Sequence, residues 1–154
     1  MTYTVYPQEK GELASENYLH DKKVRNCKLS YEQRRHLQHE FKIYLEKYFK
    51  GIIGKGADST KVIIWNDMVI IRGQGFLTSP EKHIAKTPKG SKLIKESRQL
   101  LSKQFAVENV TYFEEQLGSR CIHQTYDIDS NKDLWIHIMI FDQLLIEVNK
   151  SIDW

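Results

Sequence analysis

Leu37, Phe41, Tyr44, Leu45, Tyr48 and Ile52 recur at spacings of three and four, the pattern of a helix that buries one stripe. Ser30 can cap this helix, with Gln33 at the reciprocal capping-box position, so it is expected to start at Tyr31. Arg34, Arg35, Gln38, Lys42, Glu46 and Lys50 fall mostly off the stripe. Gly51, Gly54 and Gly56 break the period and allow a sharp turn. Residues 61–65 and 68–72 are rich in β-branched side chains, and Asn66-Asp67 between them favours a tight hairpin. Both segments are apolar on both faces, which predicts a hairpin inside a sheet and not at its solvated edge. Thr78 and Glu81 form a second capping box, and Pro80 suits a first helical turn. A short helix over 79–86 is expected, interrupted by Thr87-Pro88.

The helical period returns at Gly90 and runs to about Leu117. Leu93, Ile94, Ser97, Leu100, Leu101 and Phe105 make one apolar face, extended by Tyr112, Phe113 and Leu117, with Lys92, Lys95, Gln99 and Ser102 opposite. Arg98 falls at the flank of the stripe, where a long side chain can reach a carboxylate. Residues 120–128 and 134–141 form a second hairpin through the turn-rich 129–132. The last strand is apolar on both faces, as a central strand would be. His123 and His137 lie on its two strands. Two hydrogen-bonded histidines on one sheet face is the ordinary reading, and a metal or proton-relay pair is the sharper one. The order helix, hairpin, short helix, long helix, hairpin predicts an α+β fold, with one mostly antiparallel four-stranded sheet packed by helices. A leader over 1–29 precedes this domain at 30–142, and a C-terminal extension follows at 143–154. In the leader, Tyr3, Val5 and Tyr6 suggest a short extended segment ended by Pro7. In the extension, Ile152 and Trp154 suggest a docked terminus or a partner contact.

At 154 residues, one domain with a real core is the expectation. No apolar run approaches the roughly 20 residues that span a bilayer, and the start lacks the basic and apolar regions of a signal peptide. The expected location is cytoplasmic. The two cysteines, Cys27 and Cys121, form no metal or redox motif and read as free thiols. His36 and His39 lack the further ligands a metal site needs. No cofactor is called for. Net charge is only +3, but 81–103 carries seven Lys/Arg against two acids. A solvated helix face explains that run, and so does a docking surface for an anionic partner. Nucleic acid is not the expected partner, because overall charge is low and no binding motif is present.

The stretch 54–78 is the main chemical candidate. Its opening, Gly54-Lys55-Gly56, follows a helix and precedes a strand, the reverse of a phosphate-binding P-loop, and lacks the P-loop spacing. A helix-ending turn is the better account. Lys55, Thr78, Glu81 and Arg98 remain a candidate ligand or partner site, with Lys92 and Lys95 on the basic helix. No catalytic residue is assigned, since no nucleophile and base are compelled to converge.

Gly54-Lys55-Gly56, the strand pair around Asn66-Asp67-Met68-Val69, residues 75–82 (GFLTSPEK), and Gly90 followed by Leu93-Ile94 and Arg98 together resemble the MpsC family. The closing hairpin ending near Phe141 belongs to the same ordered set. The resemblance covers about residues 34–142. It implies an accessory component of a sodium-translocating, membrane-potential-generating system, linked to cation movement or inorganic-carbon uptake. On that basis the chain is expected to be a non-catalytic assembly or regulatory subunit. The resemblance also implies a peripheral position at the inner membrane face, and the expected partners are a protein, in particular a membrane transporter subunit, and a second copy in a homodimer. The alternative is a small anion- or nucleotide-sensing domain, or an enzyme, using the 54–78 loops.

Overall fold

The computed structural model describes residues 3–5 and 28–147, with side chains described from Lys28 onward. The elements are β1 (Tyr3–Val5), α1 (Tyr31–Ile53), β2 (Ser59–Trp65), β3 (Met68–Gln74), α2 (Ser79–Ile84), α3 (Pro88–Leu117), β4 (Cys121–Asp129) and β5 (Leu134–Phe141). The four hairpin strands form one antiparallel sheet, and β1 joins it as a fifth strand beside β4, in the order β1-β4-β5-β3-β2. The α+β architecture therefore matches the expectation, as does the central place of β5.

The helix starts are set by chemistry visible in the chain. Ser30 caps α1, and its backbone N–H donates to the Gln33 side chain at 2.9 Å. Gly54 closes α1 in the left-handed region, φ 79°. Thr87 caps α3 through Gly90, with Pro88 in the first turn.

Both helices pack on one face of the sheet. Leu37, Phe41, Leu45 and Phe49 of α1 meet Phe105 and Phe113 of α3 and Val62, Ile64, Val69, Ile71, Trp135 and Met139 of the sheet in one core. The rings meet edge to face, as between Phe41 and Phe113 (4.7 Å) and Phe49 and Trp135 (5.0 Å), which is the favoured aromatic geometry. The Tyr44 hydroxyl donates to Asn109, whose amide donates to the Phe105 carbonyl, and Tyr48 donates to Glu108 at 3.0 Å. These contacts run up α1 as they run down α3, so the two helices are antiparallel. Residues 145 and 29 tie the ends together: Leu29 N donates to Leu145 O, Leu145 N donates to Asn66 O, and Leu145 is buried in the core. The leader over 6–27 and Ile152 and Trp154 lie outside the described residues.

Three expectations change. The first hairpin is not interior, because β2 is an edge strand whose side chains alternate between exposed and buried. Strand periodicity alone cannot tell a doubly buried strand from one with an apolar open face. The stripe of α3 is turned: Gln99, Ser102 and Asn109 are buried, while Leu93, Leu100 and Val107 are exposed. His123 and His137 lie on opposite faces, since β4 carries a bulge near Cys121 and pairs His123 with Ile140 and Tyr126 with His137.

At Gly90 the first turn of α3 lies close against the end of α2. A Cβ there would lie 1.9 Å from the Ile84 carbonyl oxygen, a backbone atom with little freedom to yield. Alanine gains about 1 kcal/mol in helix propensity, but overpacking costs about 1–3 kcal/mol or more. Gly90→Ala is therefore expected to lower the urea midpoint. An unchanged or raised midpoint would show that α2 yields freely.

Candidate functional site

The loop over 75–78 links β3 to α2, and most of its backbone polar groups are held by side chains. Gly75 takes φ 82°, and a Cβ there would fall 2.2 Å from the Asp58 carboxylate, so both conformation and space require glycine. The N–H groups of Phe76 and Leu77 donate to the Asp133 carboxylate at 2.9 and 3.1 Å. The Thr78 N–H and hydroxyl donate to Glu81 Oε2 at 2.8 and 2.9 Å. On the carbonyl side, Lys55 Nζ donates to Gly75 O at 2.7 Å and Leu77 O at 3.4 Å, and Arg98 Nη2 donates to Phe76 O at 3.1 Å. Consecutive backbone N–H groups of this kind form an anion-binding concavity. Here the anion is the chain's own Asp133.

Arg98 is the hub. It is buried, and its Nη2 lies 2.6 Å from Glu81 Oε2. Burial alone would raise the Glu81 pKa. The N–H of Thr78, the Arg98 guanidinium and the Thr78 hydroxyl outweigh it and hold the carboxyl below its usual range. The Lys55 ammonium also faces Asp58 at 3.6 Å. Lys55, Thr78, Glu81 and Arg98, which lie far apart along the chain, are thus brought into one cluster around the loop.

Lys92 and Lys95 are not part of it. They line an open groove at the start of α3 with Lys86, Ser91, Ser130 and Asn131, and Lys92 lies 3.9 Å from Glu96. Ser91 bonds to Ser130 and Asn131 at 2.8 and 2.9 Å. Cluster and groove share α3, which supplies Arg98 to one and Ser91, Lys92 and Lys95 to the other, and the β4–β5 turn, which supplies Asp133 to one and Ser130 to the other.

Asp133 is the residue that sequence reasoning missed. It adopts φ 51°, and a carboxylate in a turn reads as turn chemistry unless its distant partners are known. A small cavity of about 40 Å³ lies beside the cluster between Phe49, Phe76, Arg98 and Trp135. Arg98 Nε and the Trp135 indole nitrogen, both buried, have no hydrogen-bond partner within the protein. The volume suits about one water molecule.

Elsewhere in the interior, burial favours the neutral forms of His137 and Cys121. His137 Nε2 pairs with Gln124 Oε1 at 2.9 Å between the rings of Phe105 and Trp135, and burial lowers its pKa to about 3. Burial pushes the Cys121 thiol up to about 11, so it is not a thiolate at neutral pH. Among the described residues no group of His, Cys, Asp or Glu converges as a metal site would require, and no helix is long and apolar enough to cross a membrane.

The second face of the sheet is the largest feature that sequence reasoning misplaced. Its cross-strand rows are Trp65–Met68–Ile140–His123, Ile63–Ile70–Ile138–Thr125 and Lys61–Arg72–Ile136–Asp127. No described helix or strand packs over them, while Trp65, His123 and Asp127 each have an interaction partner. Ile63 is 48% exposed and Trp65 39%. At strand spacings of about 4.8 Å and rises of about 3.3 Å per residue, the three rows outline roughly 380 Å², and Lys61, Arg72 and Asp127 make one row mostly charged.

Comparison with known proteins bears on these features. The model of a family described as "Na+-translocating membrane potential-generating system (MpsC)" matches residues 33–143. A relative from Bacillus subtilis (strain 168), named Uncharacterized protein YrhF, is 24% identical over 115 residues, covering 74% of this chain and 94% of the relative. No solved structure gives a significant match.

Proposed function

The chain belongs to the MpsC family, and from that premise we propose that it is a non-catalytic accessory or assembly subunit of a membrane system that moves sodium. The family description ties it to Na+ membrane-potential systems. Subunit action, through contact with an integral membrane protein, is our reading. The observation that carries it is the sheet face that no described helix or strand packs over, where half-buried Met68, Ile70, Ile136, Ile138 and Ile140 lie in register with the more exposed Ile63 and Trp65 across three strands. Such an apolar centre with a polar rim of Lys61, Arg72 and Asp127 has the composition of a protein interface. The best-built polar cluster supports the same reading. The Lys55 ammonium, the Glu81 carboxylate and Nη2 of Arg98 hold a loop in place instead of standing free for a substrate.

Inverted vesicles containing the integral components of the system, compared with protein-free liposomes of the same lipids, test this in a sedimentation assay. The wild-type protein is expected to bind the first saturably and not the second. Ile138→Asp, at the centre of the open face, is expected to abolish binding, and Ile63→Lys, on the edge strand where folding is least affected, to weaken it about tenfold or more. Equal binding to bare liposomes would replace a protein partner with lipid. Undiminished binding of both variants would remove the sheet face from the interaction.

A further inference from the structure

Helix α3 presents an apolar stripe to solvent. Leu93 is 53% exposed, Leu100 69% and Val107 58%. The three recur at intervals of seven residues, so they lie within about 20° of one line on the outer surface of the helix. Over that same stretch the inner face is built from Arg98, Gln99, Ser102 and Asn109 as well as Ile94, Phe105 and Ala106. The helix thus places leucines outward and amides inward, against the transfer preferences of both. That inversion calls for an occupant.

The charges flanking the stripe specify which occupant. Looking down the helix with Leu100 as the reference direction, Glu96 and Lys103 fall on one flank and Ser97 and Gln104 on the other, at 100° per residue. When two copies of α3 meet face to face and antiparallel about a two-fold axis at Leu100, each flank meets the same flank of the partner with heights reversed. Glu96 then opposes Lys103 of the partner subunit, and Lys103 opposes Glu96 of the partner subunit. On the other flank Ser97 and Gln104 oppose one another across the axis. Along the centre, Leu93 meets Val107 of the partner subunit and Leu100 meets its own copy. A parallel pairing loses both charge matches, because it brings the Glu96 flank against the Ser97 flank. Opposite charges at such flanking positions choose partner and orientation in helix pairs. The stripe spans about 21 Å at 1.5 Å per residue. Its period of seven suits the shallow crossing in which helices stay in contact over several turns.

We propose that the outer face of α3 is a self-association surface, and that two copies of this chain pair antiparallel through Leu93, Leu100 and Val107 with Glu96 and Lys103 as reciprocal salt bridges. This deepens the reading of an assembly subunit, but on a different face from the one assigned to the membrane partner. Either interface can therefore fail without the other.

A symmetry-sensitive cross-link is the test. In the full chain carrying Cys27→Ser, Leu100→Cys places two thiols on the axis, and oxidation is expected to give a disulfide dimer in high yield. Ile43→Cys, exposed on α1, serves as the control and is expected to stay monomeric on the same gel. Cys121 is buried and does not contribute. In light scattering, Glu96→Lys and Lys103→Glu alone are each expected to weaken dimerisation about tenfold. The double exchange Glu96→Lys with Lys103→Glu restores opposite charges across the axis and is expected to return the affinity to near wild type. A loss of folding cannot mimic that rescue. A wild-type protein that stays monomeric at high concentration overturns the proposal. So does a dimer in which Leu100→Cys cross-links no better than Ile43→Cys, or one in which the double exchange fails to rescue.

Discussion

Replacing Arg98 with alanine is expected to cost about 3 kcal/mol of folding stability, at the lower end of what removing one partner of a buried ion pair costs. The lower end applies because Glu81 keeps partial solvent access, with its side chain 24% exposed against 8% for Arg98. The loss has two parts. Glu81 loses its closest charged partner, and the Phe76 carbonyl loses its donor. Loop 75–78 then keeps Lys55, Asp133 and the Thr78–Glu81 cap but no tie to α3, so α2 is expected to loosen before the rest of the domain. Arg98→Lys is expected to recover only part of the loss, since one ammonium lacks the planar fork of a guanidinium. Urea unfolding of Arg98→Ala, Glu81→Gln and the double variant measures the coupling. A cost below about 1 kcal/mol for Arg98→Ala would mean that the loop does not depend on this pair.

Mild acid is expected to weaken the protein through His137. Its pKa is about 3 when folded, against 6.5 for the free side chain, and burial is the cause. Between those values the unfolded chain binds the extra proton, so unfolding becomes easier as pH falls. The stabilising term is complete above pH 6.5 and declines by about 1.4 kcal/mol for each pH unit below it, until about pH 3. Glu81 acts in the same sense, but its lowered carboxyl loses its contribution only below about pH 4.5. The window from pH 6.5 to 5 therefore isolates the histidine. Across it the wild type is expected to lose about 2 kcal/mol more than His137→Gln, which keeps an amide to bond Gln124 but cannot titrate. Parallel pH profiles for the two proteins would show that His137 takes up its proton without unfolding.

How much of this was legible in the chain depends on the range of the interaction. Capping chemistry is local, and Ser30 with Gln33 and Thr78 with Glu81 marked two helix starts directly, whereas Thr87-Pro88, read as an interruption, is the cap and first residue of α3. Strand pairs joined by short turns were equally plain. Facing was harder. Leu93 and Leu100 are apolar at helical spacing and read as core, yet the helix turns Gln99 and Ser102 inward instead. Phe49, buried at the centre of the aromatic core, fell outside the stripe chosen for α1, while Ile52 within that stripe is exposed. Both errors arise because a 3.6-residue period fixes a helix but leaves its rotation to the packing partner. The candidate cluster was half visible. Arg98 was placed within reach of a carboxylate and found one in Glu81, 17 residues away. Asp133 was invisible, because its partners, the amides of Phe76 and Leu77, lie more than 50 residues distant.

The central claim, that the open sheet face docks onto an integral membrane partner, is tested most directly by Trp65, which is partly exposed on that face, while Trp135 is buried. In a Trp154→Phe background, tryptophan emission reports chiefly a change at Trp65. Titration with vesicles carrying the integral components is expected to shift the emission to shorter wavelength, saturating with the same dependence as sedimentation, with no shift on protein-free liposomes. Emission unchanged at saturating binding would contradict the account, because the protein would then be held by another surface.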